Sequence, residues 1–495
     1  MSAVARQWWR DAVTYQVYPR SFQDSDGDGI GDLRGVIERL DHLAWLGVDA
    51  LWLSPIHPSP DADLGYDVSD YESVDPRLGT LDDFEQLVAA AHSRGIRVVL
   101  DLVASHTSIE HPWFREHPDW YLWSDHGPAN NWRASFGGSA WARDERSGRW
   151  YLHSFFPEQP DLDWRNPEVR EAIGEVVRVW RRRGVDGFRV DAADRLVKDA
   201  ELRDDPPARR PFPLPLHDEH SRLDHLRSRN DPDIGVALGA LAEAADGAPL
   251  IGEVYLPNEA LRAYLEHLEL VFSFEFMHSP WQPGALREAI AGAVALSGVA
   301  WVLSNHDFPR LATRVGEERT RIAALLLLTL PGAAFVYQGD EIGMSDGPGA
   351  DPPLDRVGRD VHRHPMQWEP RADGGFTSGR PWLPLVDPEL RNVGGQRDDR
   401  DSLLRLYRRL IELRRGLGGG FRLLDATGGV LAYARGEHVV AINLGDEPTP
   451  APPAGELVLA TEPGADAGEI APNAGLVVRR EAASDRGFRN PPEWV

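Results

Sequence analysis

Short apolar runs that end in polar residues alternate along the chain with longer segments whose apolar residues recur at helical spacing. The runs are rich in β-branched and aromatic residues, which is typical of strands. We identify eight of them, at residues 15–22, 50–55, 97–103, 187–191, 250–255, 270–276, 299–305 and 334–338. Intervening segments such as 81–94 and 167–183 have the spacing of amphipathic helices and are followed by glycine. Eight strand–helix units predict an α/β fold, a (β/α)8 barrel.

Two stretches interrupt this alternation. Residues 106–166, after the third strand, are dense in Trp, Pro, Gly and Asn and are too long for an ordinary loop, which predicts an inserted subdomain. After the helical segment 403–415, alternating runs predict a C-terminal antiparallel β domain, which we interpret as a β-sandwich. These runs are 430–433, 438–443, 456–460 and 476–479. The predicted boundaries are 1–105 and 167–416 for the barrel, 106–166 for the subdomain and 417–495 for the last domain.

A further insertion, at residues 204–230, follows the fourth strand and is rich in Pro, Arg, His and Asp. It either covers the mouth of the barrel or lies on the surface. The run His-Asp-Glu-His at 217–220 resembles a metal-binding pair, but it lacks the His-Glu-x-x-His spacing on a helix. A solvated loop is the better interpretation.

The composition narrows the class of function. With 495 residues, 42% of them hydrophobic, the chain can bury a large core. Its formal net charge of -25 disfavours binding to nucleic acid or anionic membranes and leaves neutral ligands such as sugars unaffected. The apolar run 323–330 is too short to span a membrane, and no secretory signal is recognisable in the first ten residues. Together with the absence of cysteine, this predicts a cytoplasmic protein.

Three acidic residues stand at predicted strand ends: Asp191, Glu253 and Asp307. In a barrel these ends share one mouth, where active sites are built. Cleavage of an acetal between sugars needs one carboxylate at the anomeric carbon and one protonated acid for the departing oxygen, and neither an organic cofactor nor a metal. We expect neighbouring Arg189 to keep Asp191 ionised, and apolar surroundings to raise the pKa of Glu253. A single such acid could equally be a salt-bridge partner or a helix cap, but three together favour catalysis.

Five motifs in register carry a resemblance to a known family. They are DLVASHTS at 101–108, QPDLDW at 159–164, GFRVDAA at 187–193, GEVY at 252–255 and SNHD at 304–307. The chain resembles the α-amylase superfamily, glycoside hydrolase family thirteen, in its α-glucosidase and oligo-1,6-glucosidase branch. One departure is Ser105, where the family usually has asparagine; its hydroxyl retains hydrogen-bonding capacity.

The resemblance implies a nucleophile at Asp191, a general acid/base at Glu253 and a carboxylate that stabilises the transition state at Asp307. It also implies contacts to the sugar or the nucleophile from five further residues, Tyr66, Asp67, His106, Arg189 and His306, and it implies that Arg359 lines the leaving-group side of the site. Tyr66 and Asp67 would close the non-reducing end of the site. The implied enzyme is an exo-acting α-glucosidase that works with retention on short α-glucosides.

The residue after the nucleophile is Ala192, and in this branch small residues there accompany α-1,4 rather than α-1,6 cleavage. A β-branched side chain would narrow the leaving-group subsite, so we expect maltose-like or sucrose-like substrates. Transglycosylation is the expected side activity. Two alternatives stay open: a glucosyltransferase or isomerase similar to trehalose synthase, and a barrel that has lost catalysis and only binds a sugar or a partner.

The segment DSDGDGIGD at 24–32 alternates carboxylates with small residues, in the manner of a calcium loop. Its twelfth position is Gly35, where an EF-hand would have glutamate. The family resemblance implies one structural Ca²⁺ or Mg²⁺ held by Asp24, Asp26, Asp28, the carbonyl of Ile30, and Asp32. The alternative is an acidic turn without a metal.

Overall fold

The computed structural model describes residues 3–209, 219–426, 428–452, 455–465 and 468–480. The strands in this part of the chain are β1 (Val13–Val17), β2 (Ala50–Leu53), β3 (Arg97–Leu102), β4 (Trp123–Ser124), β5 (Trp141–Arg143), β6 (Trp150–Leu152), β7 (Gly187–Val190), β8 (Leu250–Gly252), β9 (Leu270–Phe272), β10 (Val299–Val302), β11 (Ala333–Tyr337), β12 (Phe421–Leu424), β13 (Val430–Arg435), β14 (His438–Asn443), β15 (Thr449–Pro450), β16 (Glu456–Ala460), β17 (Glu469–Ile470) and β18 (Ala474–Arg479).

The α-helices of the described residues surround and connect these strands. They are α1 (Leu33–Leu46), α2 (Leu81–Ser93), α3 (Pro112–Glu116), α4 (Pro167–Arg182), α5 (Ile234–Ala245), α6 (Leu261–Tyr264), α7 (Phe274–His278), α8 (Pro283–Val294), α9 (Leu311–Val315), α10 (Thr320–Thr329), α11 (Val393–Asp398) and α12 (Leu403–Gly416).

Eight parallel strands close a barrel in the order β1, β2, β3, β7, β8, β9, β10, β11 and back to β1. All eight predicted strands are present, so the predicted barrel is confirmed. Several predicted strands run too far, because the polar residues that follow each strand form the mouth of the barrel and do not pair. The first one ends at Val17, shortly before Pro19, which has no N–H to donate to a neighbour. The sixth ends at Phe272, and Phe274–His278 is a helix.

Alternation along the strands separates the core into two layers. In β2, Ala50 and Trp52 point into the barrel and pack with Phe272 and Phe335 from other strands. Leu51 and Leu53 point outward and belong to the layer between strands and helices. Successive side chains of a strand face opposite sides, so both sets are buried and the strands read as continuous apolar runs.

Helix α4 begins directly after a residue whose side chain caps it. Asn166 accepts a hydrogen bond from the N–H of Glu168 at the start of α4, and Pro167 occupies the first turn. The apolar side of α4 is buried with spacings of three and four residues, from Val169 to Trp180. The predicted helix 167–183 is therefore observed within one residue.

Two smaller β structures accompany the barrel. Strands β4, β6 and β5 form a three-stranded sheet after β3, within the segment that was predicted to be an inserted subdomain. Beyond α12, the chain forms a five-stranded antiparallel sheet in the order β12, β13, β14, β18, β16 and a two-stranded pair, β15 and β17. The predicted residues 481–495 of this domain lie outside the described residues. Helix α10, which contains the apolar run noted in the sequence, is buried against α12 and the C-terminal sheet. None of the helices in the described residues is long and apolar enough to cross a membrane.

Candidate active site

Adjacent strands bring two of the predicted acids side by side. Asp191 directly follows β7 and Glu253 directly follows β8, and these strands pair in parallel with Val190 opposite Gly252. The Glu253 N–H donates to the Val190 carbonyl at 3.0 Å, which continues the ladder to the acid itself. Both side chains are buried in one site at the carboxyl ends of the strands.

One guanidinium group joins the acids. Arg189 Nη1 donates to Asp191 Oδ1 at 2.6 Å and to Asp101 Oδ1 at 2.8 Å, and Nη2 lies 2.6 Å from Glu253 Oε1. The arginine is 1% exposed and lies over the ring of Trp52. The carboxylates of Asp191 and Glu253 therefore bind the two terminal nitrogens of one guanidinium group, which keeps the two carboxylates close together.

The predicted rise in the pKa of Glu253 is confirmed, but the prediction that Arg189 lowers the pKa of Asp191 enough to keep it ionised is wrong. Arg189 contacts both of them, so it favours the ionised form of each and does not by itself decide which of the two carries a proton. Burial raises the pKa of Asp191 from 3.8 to about 7 and that of Glu253 from 4.5 to about 7, while Arg189 opposes the rise in both. The two groups interact with each other and share a proton near neutral pH.

Asp307 belongs to the same site, but its pKa is lowered, whereas the pKa values of Asp191 and Glu253 are raised. Burial acts to raise its pKa, but the surrounding groups hold that pKa well below the ordinary carboxyl value. His306 Nε2 is 3.4 Å away, Arg359 Nη1 donates at 2.9 Å and Arg363 Nη2 donates at 3.1 Å. Burial lowers the pKa of His306 well below its usual value, so this ring is neutral at pH 7 and the two arginines supply the positive charge. Asp307 is the permanently ionised acid of the three.

The predicted aromatic contacts form a stack at the closed side of the site. Tyr66 lies on His306 with ring centroids 5.3 Å apart and planes 4° from parallel. Its hydroxyl donates to Asp101 Oδ2 at 3.0 Å and lies 2.7 Å from His306 Nε2. Gln16 lies 2.8 Å from His306 Nδ1 through its amide nitrogen, which assigns the ring proton to Nε2. A hydrogen-bond chain therefore runs from Gln16 to Asp101.

His106 enters the site from the start of the inserted subdomain. Its Nε2 is 3.0 Å from the Tyr66 carbonyl and 3.0 Å from Gln159 Nε2. Ser105 Oγ lies 2.8 Å from His106 Nδ1, so the hydroxyl that replaces the family's usual asparagine does form a hydrogen bond. Phe155 of the subdomain packs over the same ring at 5.2 Å.

The prediction that Asp67 contacts sugar is contradicted by its neighbours. Its Oδ1 accepts from Ser59 Oγ at 2.6 Å and the Asp63 N–H at 2.9 Å, and its Oδ2 accepts from the Ala62 N–H at 2.9 Å. Asp67 therefore holds the loop that precedes Tyr66. Asp63 takes its place at the site. The sequence signal was present, because Asp63 is an acid just before the Gly-Tyr pair at 65–66.

Asp63 and Arg359 form the wall beside Asp307. Arg359 Nη2 donates to Asp63, its Nη1 donates to Asp307, and its Nε donates to Asp355 Oδ2 at 2.5 Å. Gln159 of the subdomain also donates to Asp63 at 3.0 Å. Arg359 was predicted from the family resemblance to line the leaving-group side, and in the structure it lies between Asp307 and Asp63. Asp63, Asp101 and Gln159 were missed, because each lies far in sequence from the acids it serves.

Described residues of the insertion at 204–230, and Arg203 just before it, bond to the inserted subdomain. Asn131 exchanges hydrogen bonds with Asp205, and the Trp132 indole donates to the Arg203 carbonyl at 2.9 Å. Of the run 217–220, His217 and Asp218 lie outside the described residues. His220 stacks on His225 with centroids 3.6 Å apart, and its Nδ1 lies 3.1 Å from the Arg133 carbonyl.

The acidic loop after β1 forms a separate cluster. Carboxylate oxygens of Asp24, Asp26 and Asp28 lie within 4.8 Å of one another, the one such group of three or more possible ligands in the described residues. Hard oxygen donors at this spacing fit Ca²⁺ or Mg²⁺. Burial and the neighbouring carboxylates raise the pKa of Asp28, which is the repulsion that a cation would relieve. Asp32 instead accepts from the N–H of Ser25 and from that of Gly35 at the start of α1, so its part in a metal site stays a prediction.

The geometry of this loop also explains its glycines. Gly29 has a φ of 96°, and a Cβ at Gly35 would lie 2.0 Å from the Gln23 carbonyl oxygen. A glutamate at the twelfth position is therefore sterically excluded. The loop is tied to residues 376–382 near the barrel mouth, where the Phe376 carbonyl accepts the Asp24 N–H and the Gly29 carbonyl accepts the Trp382 N–H.

Comparison with known proteins agrees with this geometry. Residues 16–417 match the family described as alpha amylase, catalytic domain, and residues 409–477 match a domain of unknown function, DUF3459. A probable alpha-glucosidase of Rhizobium meliloti is 39% identical, covering 89% of this chain and 90% of its own length. An oligo-1,6-glucosidase of Parageobacillus thermoglucosidasius is 36% identical, covering 83% of this chain and 84% of its own length.

Solved structures of similar proteins share the whole architecture. The alpha-glucosyl transfer enzyme XgtA superposes with a TM-score of 0.89 at 36% identity, over 96% of this chain and 99% of its own. The trehalulose synthase MutB from Pseudomonas mesoacidophila MX-45 superposes with a TM-score of 0.85 at 30% identity, over 95% of this chain and 99% of its own. With its barrel, its clustered acids and these relatives, the chain belongs to the alpha-amylase family, glycoside hydrolase family thirteen, and is a glycoside hydrolase.

Proposed function

We propose that this enzyme is a retaining, exo-acting α-glucosidase that releases glucose from the non-reducing end of short α-glucosides. The observation that carries the proposal is the shared contact of Asp191 and Glu253 with the two amino nitrogens of Arg189. Retaining glycosidases need two carboxyl groups about 5 Å apart, and inverting enzymes a wider gap that admits water. Because both carboxylates bind the same guanidinium group, we favour the shorter separation, that of a retaining enzyme.

In the first step, a carboxylate oxygen of Asp191 forms a bond to the anomeric carbon while the bond from that carbon to the leaving oxygen breaks. Glu253 gives its proton to the leaving oxygen and becomes a carboxylate. The productive state therefore has the shared proton on Glu253. Asp307, held ionised by its arginines, provides negative charge close to the oxocarbenium-like centre.

In the second step, Glu253 removes a proton from water, and the water oxygen replaces Asp191 at the anomeric carbon. Two displacements restore the α configuration. A sugar hydroxyl can replace water in this step, so transglycosylation is the expected side reaction.

The closed side of the site supports exo action. Asp63, Arg359, Tyr66 and His306 are joined by hydrogen bonds and stacking, and all are buried or nearly so. In this proposal the terminal sugar rests against this wall, and a chain that continued past it would have to break these contacts. Asp63 and Arg359 are the candidates to bind its outer hydroxyls.

The preference for α-1,4 over α-1,6 linkages rests on Ala192. The residue has a φ of 43°, in the left-handed region, and its N–H donates to Glu253 Oε2 at 3.0 Å. A small side chain tolerates this backbone far better than a β-branched one. Alanine therefore suits both the backbone and an open leaving-group subsite.

A glucosyltransferase or isomerase is the second candidate. It is favoured by the similarity in structure to an alpha-glucosyl transfer enzyme and to a trehalulose synthase. The acids and the covalent intermediate are the same in both reactions. The difference lies in whether water or a sugar hydroxyl reaches the glucosyl group first.

Product analysis separates the candidates. The enzyme would be incubated with maltose, sucrose and isomaltose, and the products followed by proton NMR from the first minutes. α-Glucose appearing first, with maltose or sucrose turned over faster than isomaltose, supports the proposal. β-Glucose appearing first contradicts retention, and a new disaccharide as the main product favours the isomerase. Asp191→Asn is the control for background hydrolysis.

We further propose that Asp24, Asp26 and Asp28 hold one structural Ca²⁺ or Mg²⁺. The support is the carboxylate spacing and the repulsion described above. A bound cation would stiffen the loop after β1 and its contact with residues 376–382. Metal analysis of the purified protein after dialysis tests this.

A further inference from the structure

The hydroxyl of Tyr255 reaches the catalytic acid. It donates to Glu253 Oε1 at 2.8 Å, two residues along the chain. The ring of Tyr255 is stacked on Phe274, with centroids 4.2 Å apart and planes 17° from parallel, and Phe308 lies 6.1 Å away. Burial and the charge of Glu253 raise the pKa of Tyr255 well above its usual value, so the phenol remains a donor throughout the working range of pH. The family resemblance assigned this residue no role.

The hydrogen bonds to Glu253 divide its two oxygens. Oε1 faces both the Tyr255 hydroxyl and Arg189 Nη2, whereas Oε2 accepts, within the part of the chain that the structure describes, the Ala192 N–H alone. An ionised carboxylate oxygen has about two lone pairs for hydrogen bonds. Oε1 is therefore saturated, and the one free lone pair is on Oε2.

We propose that Tyr255 is a positioning residue that fixes Glu253 so that Oε2 is the oxygen that carries and transfers the catalytic proton. This inference rests on the proposed function and adds a residue to it. In the first step the proton leaves Oε2 for the leaving oxygen, and the charge that develops on the carboxylate strengthens the bond from Tyr255. In the second step Oε2 takes a proton from water and that bond weakens again.

A change of Tyr255 to phenylalanine leaves the other charged groups around Glu253 in place. They are Arg189 and Asp191 on and after β7, Asp101 on β3, Asp307 after β10, and Arg195 after Asp191. Removing the hydroxyl takes away a donor that favours the ionised form of Glu253. The pKa of Glu253 should therefore rise, and the acid should stay protonated to higher pH.

The test is the substitution Tyr255→Phe, which keeps the ring and its stacking on Phe274. The dependence of kcat/KM on pH would be measured with maltose, whose poor leaving group needs the acid. We expect the alkaline limb to move upward by about one pH unit. Tyr264→Phe is the matched control, because that buried hydroxyl bonds to Asn230 and not to an acid of the site; its alkaline limb should stay in place.

A second variant covers the case in which Tyr255→Phe folds poorly. Phe274→Leu keeps the hydroxyl but removes the ring that holds it, and it should move the alkaline limb in the same direction by less. An unchanged alkaline limb in a Tyr255→Phe enzyme with wild-type melting temperature overturns the proposal. If the wild-type enzyme turns over none of the three disaccharides, the proposed function fails before this inference is reached.

Discussion

Replacing Asp191 with asparagine should abolish turnover and yet stabilise the folded protein at neutral and alkaline pH. The carboxyl group has an ordinary pKa of 3.8 and one of about 7 in the fold, raised first by burial. The folded state thus binds this proton more tightly than the unfolded chain. The stability that the group contributes is fully present below pH 4, falls as the pH rises toward 7, and stays lost above it.

The size of this effect follows from the same values. A difference of about three pH units corresponds to about 4 kcal/mol at pH 8, and to less than half of that at pH 5. Asparagine is neutral and nearly isosteric, and its side-chain oxygen can still accept from Arg189. We therefore expect Asp191→Asn to unfold at a higher temperature than wild type at pH 8, with a smaller difference at pH 5. Turnover should fall on the order of 10⁴-fold, because an amide oxygen cannot form the glycosyl ester.

Melting temperatures by differential scanning calorimetry at pH 5 and pH 8 would measure this, together with glucose release from maltose. Asp307→Asn is the matched control with the opposite sign: the pKa of Asp307 is lowered in the fold, so losing its charge should destabilise the protein at both pH values. A melting temperature of Asp191→Asn below that of wild type at pH 8, or a difference that does not grow with pH, would refute the reasoning.

Three further predictions concern other parts of the molecule. Lys198→Met should lower the free energy of unfolding by about 3–5 kcal/mol, since it leaves the buried carboxylate of Asp161 without its ion-pair partner at 2.7 Å. Denaturation midpoints measure this change. The double variant Lys198→Met with Asp161→Asn should regain part of the lost stability. Ala192→Val should lower kcat/KM for maltose more than for isomaltose and should lower the melting temperature, because a β-branched residue resists positive φ more than alanine does. Ala192→Gly should keep the linkage preference, and a Val variant with unchanged preference contradicts the steric explanation. Chelation by EDTA should lower the melting temperature of wild type but not that of the double variant Asp26→Ala, Asp28→Ala; equal behaviour of the two would indicate an acidic turn without a metal.

The local pattern of apolar and polar residues was sufficient to predict the strands of the barrel. The predicted runs 187–191 and 250–255 both begin with a strand in the structure, because continuous apolar residues are buried on both faces of a parallel sheet. The polar residue after each run then had to lie at the mouth. The strand ends were misplaced, since a residue such as Phe274 is as apolar in a helix as in a strand.

Electrostatic roles were not legible in the same way. Arg189 is two residues from Asp191, and sequence distance suggested that it serves this acid alone. The barrel places Glu253 on the second amino nitrogen of the same guanidinium group. The pKa of a buried acid depends on every charge within a few ångströms, and most of those charges come from other strands.

The sequence by itself determined the barrel, the three acids at its mouth and the family, because periodicity, strand ends and motifs are properties of neighbouring residues. Only the tertiary structure decided that Asp63 rather than Asp67 bonds to Arg359, that Arg359 joins Asp63 to Asp307, and that the Tyr255 hydroxyl donates to Glu253. Asp63 and Asp67 are the same residue type on either side of one Gly-Tyr pair, so the sequence marks both as candidates and does not say which one reaches Arg359. Their difference arises from partners far along the chain, which fold into reach only when the barrel closes.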